Sequence, residues 1–127
     1  MGDPEALVQF GRRFVEVARD GTIESFDRTF DGKMTYPGAD TIAREYADLG
    51  ESQRDFVRQL VTAIVDEAVH NSLSAIEQLD WVTLLAVDNE TGVTTDLKVD
   101  GDGLTWMLED EGGWVSTFGR YPRSTLT

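Results

Sequence analysis

Three residues with the side chains of a nucleophilic triad follow one another at four-residue spacing in VDEAVHNSLSAIEQ, residues 65–78. Asp66, His70 and Ser74 share one stripe if this stretch is helical, because residues four apart are neighbours on a helix surface. A triad also needs an oxyanion hole and a nucleophile held on a strained turn. The interior of a regular helix offers neither. We therefore predict no catalytic residue here and interpret the stripe as the polar edge of a structural helix.

Metal binding is a second chemistry that these residue types suggest. Glu67 and His70 match one Glu-x-x-His unit of a di-iron bundle, but such a site needs two units. The chain has one histidine and no cysteine, which also argues against zinc. An EF-hand loop starting at Asp100 would place Leu104 where an oxygen ligand is required and Thr105 where the glycine belongs. The sequence predicts no metal site and no cofactor.

The alternative interpretation gives residues 65–78 a functional role, as part of a small pocket near His70. Here the protein would be a small-molecule-binding domain or a small enzyme, with a pocket between helices and sheet. The polar groups that would line it are Glu67, His70, Asn71 and Glu77. The interpretation requires that His70 line a cavity together with at least one carboxylate.

The charge of the chain favours a different function. Its 24 acidic residues against 11 basic ones give a net charge of −13. Residues 64–127 alone hold twelve acids and three bases. Such a surface repels phosphate backbones and anionic membranes, so we expect binding to neither nucleic acid nor membrane. It attracts a basic protein and speeds its capture. The competing explanation is that the acidity reflects only the composition of the host.

Helical patterns occupy the first two thirds of the sequence. Asp3 and Pro4 predict a helix start, and Gly21 predicts the end of that first helix. Shorter helices are expected over 22–30 and 41–49. From about 53 to 79 the chain carries no glycine or proline and keeps apolar residues at helical spacing. These positions fill most of the circumference, which predicts a long central helix covered on more than one side.

Strand-like runs follow the long helix. They are 81–87, 93–99, 104–108 and 114–118, separated by turn-rich segments at 88–92, 100–103 and 109–113. The tail after 118 is expected to be irregular. The fold prediction is a single α+β domain over 1–127, in which the N-terminal helices, including the long central one, pack on a four-stranded antiparallel meander at about 81–118.

The preferred function is a non-enzymatic interaction or inhibitor protein, of the kind that neutralises a basic toxin or nuclease, with homodimerisation left open. No motif is specific enough to name a family. An N-terminus without a basic, apolar leader predicts a cytoplasmic protein. The basic partner is expected to contact an acidic, sheet-side surface formed by Asp88, Glu90, Asp96, Asp100, Asp102, Trp106, Glu109, Asp110, Glu111 and Trp114.

Overall fold

The computed structural model describes the backbone of residues 3–100 and 103–126, and the side chains of 3–98 and 103–126. Most of this chain is helical. The elements are α1 (Pro4–Phe14), a π-helical segment (Val15–Asp20), α2 (Gly21–Phe30), α3 (Ala39–Ala47), α4 (Glu51–Gln78), β1 (Leu85–Val87), β2 (Thr94–Asp96), α5 (Leu97–Asp100), α6 (Leu104–Glu109) and α7 (Trp114–Phe118).

The first three helical elements form one continuous run. Asp3 caps α1 by accepting a hydrogen bond from the Glu5 amide, and Pro4 occupies the first turn. Gly21 was expected to end this helix, but its φ of −60° is helical and α2 begins there. The run ends instead after Phe30, where Gly32 adopts the left-handed conformation that glycine tolerates best.

The long helix α4 spans Glu51–Gln78, where the sequence predicted about 53–79. Val65, Val69 and Leu73 are buried against α2, α6 and the π-helical segment. The other apolar stripe, formed by Phe56, Leu60 and Ile64, is exposed. The helix is therefore covered along one side, and the expectation that it is enclosed on more than one side is wrong.

The predicted four-stranded meander is also wrong. Within the described residues the sheet has two antiparallel strands, β1 and β2, paired so that Ala86 lies opposite Thr95. The predicted strands at 104–108 and 114–118 are the helices α6 and α7. The predicted α+β architecture thus gives way to a mostly helical chain that carries one β-hairpin, β1 and β2 with the turn between them.

The physical reason for the error is that a short apolar run fits both periodicities. In LTWML the buried residues are Leu104 and Leu108, four apart, and Met107 packs partly against the core. That spacing is helical, and Trp106 consequently projects outward with 66% of its surface exposed. Five residues were too few to decide between the two patterns.

The core lies where α4, the N-terminal run, the hairpin and the two C-terminal helices meet. Its buried apolar members are Leu7, Val15, Ile23, Val65, Val69, Leu73, Leu97, Leu104, Leu108, Trp114 and Val115. Trp114 packs directly over Gly11 and meets Phe10 edge to face. No helix in the described part of the chain has the length and apolar character needed to span a membrane.

Candidate functional site

A fully buried arginine, Arg19, organises the polar interior. Its Nε donates to Asp66 Oδ1 at 2.5 Å and its Nη2 to Asp66 Oδ2 at 3.4 Å. Nη1 donates to Asp20 Oδ1 and to the Tyr121 carbonyl, and Nη2 also reaches the Pro122 carbonyl. A guanidinium has five N–H donors, so every one of them is used. Arg19 thereby joins the π-helical segment to α4 and to the C-terminal tail.

Arg19 was not predicted as a buried residue, because Gly21, two residues later, was expected to end the helix. The spacing did contain the information. Val15, Arg19 and Ile23 lie four apart, so in an uninterrupted helix the arginine falls on the apolar face between two core residues. A charge at such a position must be paired if it is buried.

A polar cleft of about 350 Å³ lies next to the buried pair of Arg19 and Asp66. Asp66 and His70 both line it. Arg123 Nη1 lies 2.9 Å from Glu109 Oε2 and 3.9 Å from Asp66 Oδ2. His70 Nδ1 lies 3.6 Å from Glu109 Oε1. The cleft thus brings together α4, the end of α6 and the tail, with charges of alternating sign.

Asp66, His70 and Ser74 are not hydrogen-bonded to one another in the structure. Asp66 is engaged by Arg19 and Arg123, and the carboxylate next to His70 is Glu109. Ser74 does not line the cleft, and its hydroxyl accepts a hydrogen bond from Gln78. Among the described residues, no group of three or more acidic or histidine side chains is arranged to hold a metal ion.

Three of the four residues suggested for a pocket do line the cleft, namely Glu67, His70 and Asn71. The fourth, Glu77, points elsewhere and accepts hydrogen bonds from the amide and hydroxyl of Thr105. Arg123 was not anticipated. Its Nη2 is buried and has no hydrogen-bond partner in the part of the chain that the structure describes.

The residues suggested for the partner-binding surface differ in accessibility. Five of them are exposed, namely Asp88, Glu90, Trp106, Asp110 and Glu111. Glu109 and Asp96 are half-buried, and Trp114 lies in the core with 6% of its surface exposed. The side chains of Asp100 and Asp102 lie outside the described residues.

A groove of about 680 Å³ runs between α1 and the hairpin, and sequence reasoning did not find it. Apolar side chains from both elements line it, among them Ala6, Phe10, Leu84, Ala86 and Val93. Its charged lining residues are Asp3, Glu5, Asp88 and Arg13. Arg13 is paired with Glu16 at 2.8 Å, so the uncompensated charge of the groove is negative.

The turn of the hairpin is held by Asp88. Its Oδ1 accepts hydrogen bonds from the amides of Glu90 and Thr91. These backbone hydrogen bonds to the charged form hold the pKa of Asp88 below its ordinary value. Asp88 is therefore ionised at neutral pH, and the groove keeps a negative charge at this end.

Comparison of the chain with protein-family models, with curated proteins and with solved structures finds no match.

Proposed function

We propose that this protein is a non-enzymatic interaction protein, inhibitory or immunity-type, that binds a basic protein partner on its hairpin side. The observation that carries the proposal is the groove between α1 and the hairpin, which combines an apolar floor with the carboxylates of Asp3, Glu5 and Asp88. Exposed apolar surface bordered by charge is typical of a protein-binding site.

The charge of the whole molecule supports the same function. With a net charge of −13, the protein attracts a basic partner over distances of about one Debye length, roughly 10 Å at moderate salt. Long-range attraction raises the association rate, and the apolar contacts then hold the complex. Trp106 and Asp110, which line one shallow cleft, are a second acidic and aromatic patch available to the partner.

The test is capture of a partner from the native host, at about 0.05 M and about 0.5 M NaCl. The variant Glu5→Lys/Glu90→Lys changes two exposed acids, of which Glu5 lines the groove and Glu90 lies in the turn of the hairpin. Its matched control, Glu45→Lys/Glu51→Lys, makes the same change of four charge units at exposed positions on α3 and α4. Each pair includes one acid from the first turn of a helix.

We expect the native chain to capture a basic protein at low salt and to capture less of it at high salt. The variant Glu5→Lys/Glu90→Lys should lose this capture, and the control variant should keep it. Equal loss with both variants would mean that net charge alone is responsible, without a site. Capture of no basic protein by the native chain would overturn the proposal.

The cleft beside His70 is a second candidate, as a small-molecule site. The specific observation is Arg123 in the wall of a cleft that also presents Glu67 and Asn71, because its Nη2 has no hydrogen-bond partner among the described residues. A ligand carrying both a carboxylate and an ammonium group, such as a free amino acid, complements these groups. Titration with glycine, followed by the Asn71 side-chain amide signal, tests this. Arg123→Gln should abolish the response and Arg54→Gln, at an exposed site, should not.

A further inference from the structure

Within the described residues the sheet consists of β1 and β2 alone, so the outer edge of β1 and the outer edge of β2 both lack a neighbouring strand. The Leu97 amide donates to the Leu84 carbonyl at 2.9 Å, and the Asp88 amide donates to the Val93 carbonyl at 2.9 Å. In an antiparallel ladder, residues whose N–H and C=O groups bond to the neighbouring strand alternate with residues whose N–H and C=O groups point away from it. The backbone N–H and C=O groups of Leu85 and Val87 therefore point away from β2.

This outward edge of β1 borders the groove. Residues 84–88 all line it, although neighbouring strand residues point to opposite faces of a sheet. A groove on one face of the hairpin would be lined by every second residue only. Because five consecutive residues line this groove, it extends around the edge of their strand. On the other strand, β2 and the residues beside it, the groove is lined by alternate residues only, Val93, Thr95 and Leu97. These three residues lie on the same face of the hairpin as Ala86, which pairs with Thr95.

We propose that the basic partner binds by adding an extended segment to the free edge of β1, in the groove between β1 and α1. The inference rests on the function proposed above and specifies how that partner is held. Backbone hydrogen bonds to Leu85 and Val87 fix the segment, as in other proteins that recognise a peptide by extending a sheet. Its alternate side chains then face the groove and the solvent.

The groove also defines the chemistry of the segment. Its floor contains Ala6, Phe10 and Ala86, so side chains turned toward it are apolar. Its carboxylates, Asp3, Glu5 and Asp88, favour lysine or arginine at the ends and rim. The occupant is thus an extended segment in which apolar and basic residues alternate.

The probe is a capped eight-residue peptide of alternating lysine and valine, titrated into the full chain and followed by amide NMR. We expect the largest shifts at Leu85 and Val87, together with slower hydrogen exchange of these two amides. The same peptide N-methylated at every residue keeps its charge but cannot donate backbone hydrogen bonds. It should bind at least about tenfold more weakly.

A pair of proline variants tests the edge itself. Leu85→Pro removes an outward donor of β1 and leaves the bonds between the strands in place, because the Leu85 amide does not take part in them. Thr94→Pro is the matched control, since Thr94 pairs with Val87 and its amide faces the opposite edge of the hairpin. Leu85→Pro should weaken peptide binding at least about tenfold, whereas Thr94→Pro should leave it within about twofold.

The outcomes separate this inference from the proposed function. Equal affinity for the two peptides, or equal weakening by the two prolines, would overturn addition to the β1 edge. If a basic partner is nevertheless captured and Leu85→Pro captures it as well as the native chain does, the proposed function stands and the binding mode is wrong. If the native chain captures no basic partner, the proposed function itself fails.

Discussion

Arg19 is the residue whose burial explains most of the polar interior. Two carboxylates and two tail carbonyls converge on its guanidinium, so residues far apart in the sequence depend on one side chain. Removing it leaves Asp20 and Asp66 without their principal charged partner in a largely buried environment. The cost of such a change comes mainly from the charges left behind.

We expect Arg19→Met to lower the free energy of unfolding by about 3–5 kcal/mol, measured by urea denaturation. Arg19→Lys should also be destabilising, because an ammonium group has three donors and cannot reproduce the planar fork. The control is Arg13→Met, which breaks an exposed pair with Glu16 and should cost under about 1 kcal/mol. Similar losses for Arg13→Met and Arg19→Met would contradict the role given to the buried pair.

At the scale of elements, the contact between α1 and α7 depends on the absence of a side chain at Gly11. A Cβ atom there would overlap the indole of Trp114. Alanine normally improves a helix interior over glycine by about 1 kcal/mol, but here the overlap opposes that gain. Gly21 provides the contrast, because a Cβ added there meets its nearest neighbour, the Glu16 carbonyl oxygen, at an ordinary 3.6 Å.

We therefore predict opposite signs for the same substitution at two helical glycines. Gly11→Ala should destabilise the protein by about 1–3 kcal/mol through overpacking. Gly21→Ala should stabilise it by roughly 0.5–1 kcal/mol through helix propensity. Thermal and urea unfolding of both variants would check this. A stabilising Gly11→Ala would show that α1 and α7 do not pack in this way.

The hairpin turn carries a pH dependence through Asp88. Because its folded pKa is lowered, the stabilisation from this carboxylate is present above its unfolded pKa and is lost as pH falls through the folded value. An NMR titration of the carboxyl carbon should give a midpoint below 3.8, and the amide shifts of Glu90 and Thr91 should follow it. In Asp88→Asn those amides should no longer titrate. A midpoint at or above 3.8 would mean that the turn is not held by these bonds.

The elements differ in how far the sequence could predict them. Helix α4 was predictable because 28 residues without glycine or proline leave little choice of periodicity. The runs at 104–108 and 114–118 were not, since a mostly apolar run of only five residues suits a strand or a helix turn equally, and tertiary packing decided. The apolar stripe of Phe56, Leu60 and Ile64 also misled, because hydrophobic spacing does not reveal which face is left uncovered.

The cleft shows the same limit at the level of a site. Glu67, His70 and Asn71 could be proposed together because they are neighbours along one helix. Glu109 and Arg123 join them only through the packing of α6 and the tail on α4, and no local pattern connects residues so far apart. The strand edge bordering the groove depends likewise on the register of the hairpin, which a sequence pattern alone did not provide.

At the scale of the whole molecule, the excess of acids should make stability depend on salt. Like charges on a compact surface repel each other, and salt screens that repulsion. We expect the melting temperature to rise between about 0.02 M and about 0.5 M NaCl, as measured by circular dichroism. The Glu45→Lys/Glu51→Lys variant, whose net charge moves from −13 by +4 to −9, should respond less. A melting temperature that falls with salt would show that favourable ion pairs outweigh the net repulsion.

The three tryptophans give the molecule built-in optical probes. Trp114 is enclosed between α1 and the core, whereas Trp81 and Trp106 are 81% and 66% exposed. With the two exposed indoles replaced by phenylalanine, the remaining fluorescence comes from one residue wedged against Gly11. Its emission then reports on the seam between the first and last helices. The chain thus allows the docking of its C-terminal helix to be followed separately from the melting of α4.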